Sequence, residues 1–68
     1  MKSVSGKELA RALEQHGWQL KRIHGSHHIY GREGSILRLS VPVHAGQPLK
    51  RGLLAHLLKQ AGLRDEDL

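Results

Sequence analysis

Apolar residues recur at helical spacing near both ends of the chain and alternate with polar ones in between. In the first stretch Leu9, Ala10, Ala12 and Leu13 fall on one face with the stem of His16. Lys7, Arg11, Glu14 and Gln15 point mostly away from it. Ser5, followed three residues later by Glu8, predicts a capping box, with Val4 and Leu9 closing a hydrophobic staple around it. Gly17 ends this helix. Residues 18–24 alternate, Trp18 and Leu20 against Gln19 and Lys21, until Ile23 breaks the phase and marks a bulge or a strand end.

Gly25-Ser26 supplies a turn, and residues 27–30 form a second short strand with His27 and Ile29 on one face and His28 and Tyr30 on the other. Because Ile29 favours a core, this alternation turns His28 outward. Gly31-Arg32-Glu33-Gly34 reads as a four-residue hairpin loop. A third strand over residues 35–41 points Leu37, Leu39 and Val41 inward and stops at Pro42, which has no N–H to give a ladder. After a loop carrying His44 and Gly46, Leu49, Leu53, Leu57 and Ala61 form an i, i+4 ladder flanked by Leu54 and Leu58 on a second helix, whose start Gly52 blurs by a turn. Gly62 caps it, with Leu63 folding back on Leu58. The pattern therefore predicts one α+β domain over residues 1–68, α-β-β-β-α, with a three-stranded antiparallel sheet and both helices on one face. Residues 64–68 read as a frayed, flexible acidic tail.

At 68 residues there is room for a single core, and with no cysteine a disulfide framework, a thiolate zinc site and a thiol nucleophile are all excluded. The net charge is +5, yet Asp65, Glu66 and Asp67 crowd the end. Residues 1–63 hold ten Lys and Arg against Glu8, Glu14 and Glu33, a balance of +7 that attracts polyanions. No run is long and apolar enough for a membrane span, and residues 1–20 lack the apolar block of a signal peptide, so a cytoplasmic protein is expected.

Six histidines stand out, three of them (His24, His27, His28) around Gly25-Ser26. An imidazole can take the proton from a ribose 2′-hydroxyl so that the oxygen attacks the adjacent phosphorus without a metal or a cofactor. His28 suits this role by its outward placement, with His27 as the alternative. His24-x-x-His27 lacks the carboxylate or thiolate of a structural metal site, and neighbouring strand residues face opposite ways, so no metal is expected. The same pattern also fits an ordinary exposed strand histidine. Lys21, Arg22, Arg38, Lys50 and Arg51 are candidates for gripping an RNA backbone, with Ser26 and His44 beside them and Tyr30 able to stack a base. The proton for the leaving 5′-oxygen could come from water, Tyr30 or His44.

Gly17-Trp18, then Lys21-Arg22-Ile23-His24-Gly25-Ser26-His27-His28-Ile29-Tyr30, then Val41-Pro42-Val43-His44, and finally Gly52-Leu53-Leu54 with residues 57–63 follow one another in a familiar order. In these residues the chain resembles the HicA family of bacterial toxins, the mRNA-cleaving partners of HicB antitoxins. The resemblance implies a fold like a double-stranded-RNA-binding domain and a metal-independent endoribonuclease whose histidine follows Gly-Ser, which maps to His28 and less directly to His27. Gly25 and Ser26 would shape the turn presenting it. The resemblance also implies mRNA as substrate and an acidic HicB-like antitoxin as partner, with no small-molecule cofactor. The chain departs from the family at Leu53, where Thr is frequent, which removes a hydroxyl cap from the second helix and shifts its start toward Pro48. A non-catalytic RNA-binding module of the same fold is the alternative, and a domain that binds only an acidic protein is a third reading.

Overall fold

The computed structural model describes residues 3–68, so Met1 and Lys2 of the expected 1–68 domain lie outside the described residues. The elements run α1 (Gly6–Gln15), β1 (Gln19–His24), β2 (His27–Gly31), β3 (Arg38–Pro42), α2 (Arg51–Ala61) and a 3-10 turn over Asp65–Asp67. This is the α-β-β-β-α order that the sequence predicts. The strands form one antiparallel sheet in the order β1-β2-β3, which makes β2 the central strand.

At the start of α1 the Ser5 hydroxyl accepts the Glu8 amide at 3.1 Å, and the Glu8 carboxylate accepts the Ser5 amide at 2.9 Å. Such a reciprocal cap contributes about 1 kcal/mol to helix stability. Val4 and Leu9 are buried beside it. Gly17, at φ 91°, turns the chain so that the Trp18 amide reaches back to the Leu13 carbonyl at 3.0 Å. In β1 the register shifts between Leu20 and Arg22, so the interruption seen at Ile23 is a bulge at Lys21. Leu20 pairs with Tyr30 and Ile23 with His28, which puts Leu20 and Ile23 on one face despite their odd spacing.

Tyr30 pairs with Leu39, and His28 with Val41. Tyr30, Leu39, Val41 and Trp18 join Leu9 and Leu13 of α1 and Leu54, Leu57 and Leu58 of α2 in one buried cluster. Both helices thus cover the same sheet face. The other face carries Arg22, His27, Arg38 and Ser40, all exposed, around a half-buried Ile29.

Four expectations change. Ile29 lies on the solvent side of β2 and Tyr30 on the helix side, because cross-strand neighbours share a face and Tyr30 sits between Leu20 and Leu39. A tyrosine ring also buries more area than an isoleucine. His28 therefore faces the helices rather than the open side. Second, β3 begins at Arg38 instead of residue 35, since the Ser35 hydroxyl accepts the Leu37 amide at 3.1 Å and the Ser35 amide bonds to Arg32. That turn chemistry leaves Ile36 almost fully exposed. Third, α2 begins at Arg51 with Lys50 at its N-cap and no side-chain cap bond, so the start does not reach Pro48 and Leu53 is not the cap position; the helix buries Leu54, Leu57, Leu58 and Ala61 while Leu53 lies at the exposed edge. Fourth, the expected loose tail is folded. Leu63 donates its amide to Leu58 at 2.9 Å, the chain turns back, Asp67 lies 3.7 Å from His16, and Leu68 packs on the core.

The first residue of α1 lies against the end of β3, where a Cβ on Gly6 would overlap the Pro42 carbonyl oxygen. Gly6→Ala is therefore expected to lower stability by about 1–3 kcal/mol in urea unfolding, because backbone rather than a mobile side chain must yield. Gly52→Ala in α2 meets open space and should gain about 0.5–1 kcal/mol. Equal effects at the two positions would contradict this account of α1 docking.

Candidate functional site

Between α1 and the sheet lies a cleft of about 290 Å³ lined by Lys7, Ala10, Arg11, Glu14, Leu20, His28, Tyr30 and Val43. Its geometry follows from two periodicities. Along β2, His28 and Tyr30 are two residues apart and share the helix-facing side. Along α1, Lys7, Arg11 and Glu14 are spaced i, i+4, i+7 and form one stripe beside the buried face. The small side chain of Ala10 leaves room between that stripe and the strand.

His28 is half-buried at the cleft wall. Tyr30 is 2% exposed, and its hydroxyl donates to Glu14 Oε2 at 3.4 Å. Burial holds the Tyr30 proton above the ordinary tyrosine value of 10.0, reinforced by the charge of the Glu14 carboxylate and by the hydrogen bond to it. The ring offers no free face, so the expectation that Tyr30 stacks a base gives way to a phenol anchoring a carboxylate at the cleft. Leu20, across the strand pair from Tyr30, leaves an apolar edge 41% exposed.

The other residues singled out from the sequence are dispersed. His27 lies on the opposite sheet face, where Nδ1 is 3.1 Å from the Ser40 hydroxyl. Arg22 shares that face with Arg38, whose guanidinium lies across Gly31 and donates to the Ser35 and Leu37 carbonyls at 3.3 and 3.1 Å. Lys21, in the bulge, donates to Gln19 at 3.2 Å. Ser26 stands in the β1–β2 turn, its carbonyl accepting the Val43 amide at 2.7 Å, which ties the turn to the chain leaving β3. His44 and Lys50 line a second groove with Pro42, Gln47, Pro48, Leu49 and Leu53, and Arg51 opens α2 next to it. Val43 lines the first cleft while its neighbours Pro42 and His44 line the second, so the 42–44 segment separates them.

Lys7, Arg11 and Glu14 escaped the sequence reading as site residues because a charged helix stripe reads first as a solvated face. The signal was their i, i+4, i+7 spacing next to a small residue, Ala10. Among the described residues no group of three or more His, Asp or Glu side chains is arranged to hold a metal ion. Nor is any described helix long and apolar enough to cross a membrane.

Two cations, one carboxylate and one imidazole thus line a cleft on a three-stranded sheet backed by two helices. The model of the HicA toxin of bacterial toxin–antitoxin systems matches residues 6–63, from the first residue of α1 to the residue after the Gly62 cap. The chain belongs to this family, whose members are known as mRNA interferases. No curated protein matches the chain in sequence.

The Tyr30 hydroxyl gives this site a signature in alkali. A tyrosine whose proton is held more tightly in the folded state contributes stability that is complete below pH 10.0 and lost as pH rises through the folded value. Urea unfolding of the parent should therefore weaken more steeply above pH 10.0 than that of Tyr30→Phe. Parallel curves would show that burial of the phenol adds nothing there.

Proposed function

We propose that the chain is a metal-independent mRNA endoribonuclease, the toxin of a toxin–antitoxin pair, in which His28 takes the proton from a ribose 2′-hydroxyl. The observation that carries this reading is the placement of His28 in a cleft whose helix wall supplies Lys7 and Arg11. The 2′-oxygen attacks the neighbouring phosphorus, and the two cations offset the charge that gathers on the phosphorane oxygens. A guanidinium and an ammonium on one helix stripe meet successive backbone oxygens well.

Gly25 and Ser26 hold the turn from which β2, and so His28, emerges. His27 is displaced to the far side of the sheet and does not share the cleft. Lys50, Arg51 and His44, across the 42–44 segment, extend the cationic surface for a longer strand. Lys21, Arg22 and Arg38 strengthen the positive field without touching the nucleotide at His28. The same cleft, cationic at its helix wall, is where an acidic HicB-like antitoxin would exclude RNA. The reaction needs no cofactor and takes place where mRNA is, in the cytoplasm.

In excess EDTA the parent protein should cut single-stranded RNA to fragments ending in 2′,3′-cyclic phosphate, and His28→Ala should cut at least about a hundredfold more slowly. RNA that stays intact while demonstrably bound would contradict the nuclease reading and favour a binding module. Cleavage by both proteins would move the role to another histidine. In the His28→Ala background, removing Lys7 and Arg11 should flatten the salt dependence of RNA binding by about 0.7 in the log–log slope for each phosphate no longer neutralised. An unchanged slope would place the phosphates elsewhere.

A further inference from the structure

The second groove lies across the 42–44 segment from the His28 cleft, and at about 420 Å³ against about 290 Å³ it is the roomier of the two. Its loop is pinned at both ends. The Val43 amide bonds the Ser26 carbonyl at 2.7 Å, and the Leu49 amide bonds the Val4 carbonyl at 2.7 Å. Between these anchors the Gln47 amide closes on the His44 carbonyl at 3.1 Å, with Gly46 at φ 70° in the left-handed position of a type II turn. The groove is therefore a fixed feature of the fold.

Pro48, Leu49 and Leu53 give it an apolar lining, and Leu53 keeps 36% of its surface exposed. His44, Gln47 and Lys50 are its polar groups, and none of their side chains has a hydrogen bond or ion pair among the described residues. No acidic residue lines this groove, whereas Glu14 lines the cleft. Arg51 opens α2 beside it, and no side chain caps the first amides of that helix, so positive charge surrounds the apolar lining. A mostly apolar recess of a few hundred Å³ with a small number of free polar groups is the form that small planar ligands occupy. A nucleobase fits it, with two apolar faces, a polar edge and a phosphate attached through its sugar.

We propose that this groove holds one of the two nucleobases flanking the scissile phosphate, and so makes cleavage depend on the base there; this rests on the ribonuclease reading above. Val43 lines the cleft while Pro42 and His44 line the groove, so only one extended segment of chain separates them. An RNA strand that crosses it passes from His28 to the groove in a single nucleotide step. The base lies against Pro48 and Leu53. The Gln47 side-chain amide, which donates and accepts at once, bonds the base edge. Lys50 and Arg51 meet the next phosphate. Cations alone would suit an acidic protein segment equally well, but the apolar recess between them and the cleft favours RNA.

The test uses oligonucleotides with a single ribose, every other sugar being 2′-O-methyl, so that only one linkage can be cut and the register is known. The base on either side of that linkage is deleted in turn, and kcat/KM in EDTA is measured for the parent, Gln47→Ala and Leu53→Ala, neither of which alters charge. Deleting one of the two bases is expected to slow the parent about tenfold, the loss of one stacked and hydrogen-bonded base. On the intact oligonucleotide each variant should be about tenfold slower than the parent, and deleting the same base should then change its rate by no more than about threefold. A variant that is merely less stable would remain as sensitive to the deletion as the parent, and that result would overturn the assignment. A parent that cuts all the oligonucleotides at one rate would also overturn it, leaving the groove to a protein partner. If the parent cuts none of them, the ribonuclease reading fails and this inference with it; cleavage that ignores the flanking bases removes this inference alone.

Discussion

The buried ring of Tyr30 sets the parity of the central strand, and the remaining site geometry follows from it. A strand places alternate residues on opposite faces, so once Tyr30 is seated between Leu20 and Leu39 beneath the helices, His28 must point the same way. A slip of one residue would expose the ring, bury Ile29 and carry His28 to solvent. Burial of an aromatic ring of this size supplies the free energy that holds the register, on the order of 25 cal/mol for each Å² of apolar surface removed from water. One packing choice therefore serves both the core and the cleft.

The second determinant is how α1 is laid over that strand. Its first residue, Gly6, rests on the Pro42 carbonyl, and the capping box at Ser5 and Glu8 fixes where the helix begins. With the start fixed, helical periodicity directs Leu9 and Leu13 into the core and Lys7, Arg11 and Glu14 to the cleft rim. The Val43 amide bonds the Ser26 carbonyl, so the turn before β2 and the chain after β3 are tied at the same end of the sheet. Charge is divided by this arrangement. Lys7 and Arg11 share the side of His28, whereas Arg22 and Arg38 lie behind the sheet.

Much of the fold was legible because local chemistry stated it. The capping box, the Gly17 and Gly62 stops, the bulge near Ile23 and the burial of Leu39 and Val41 in β3 all follow from residue types at fixed spacing. The facing of β2 was misread from hydropathy, which ranks Ile29 above Tyr30. The pairing itself contained the answer: an even number of residues in the β2–β3 loop sets Tyr30 opposite the Leu37, Leu39 and Val41 face, as the observed loop over residues 32–37 does. The outward position expected of His28 was wrong, and its candidacy now rests on its proximity to α1. Lys7, Arg11 and Glu14 stayed hidden because their role arises from what packs beside them, which a helical stripe of charge does not disclose. The tail was misjudged in the same way, since Asp67 finds His16 only after the Gly62 turn brings it back along α1.

The central claim is that RNA is held on the helix-facing side of the sheet, at His28. Backbone amide chemical shifts recorded while the protein is titrated with a short 2′-O-methyl RNA, which lacks the nucleophilic hydroxyl, test it most directly. The account predicts the largest changes at Lys7, Arg11, Glu14, His28 and Val43. Changes concentrated at Arg22, Ile29, Arg38 and Ser40, with the cleft unaffected, would contradict it.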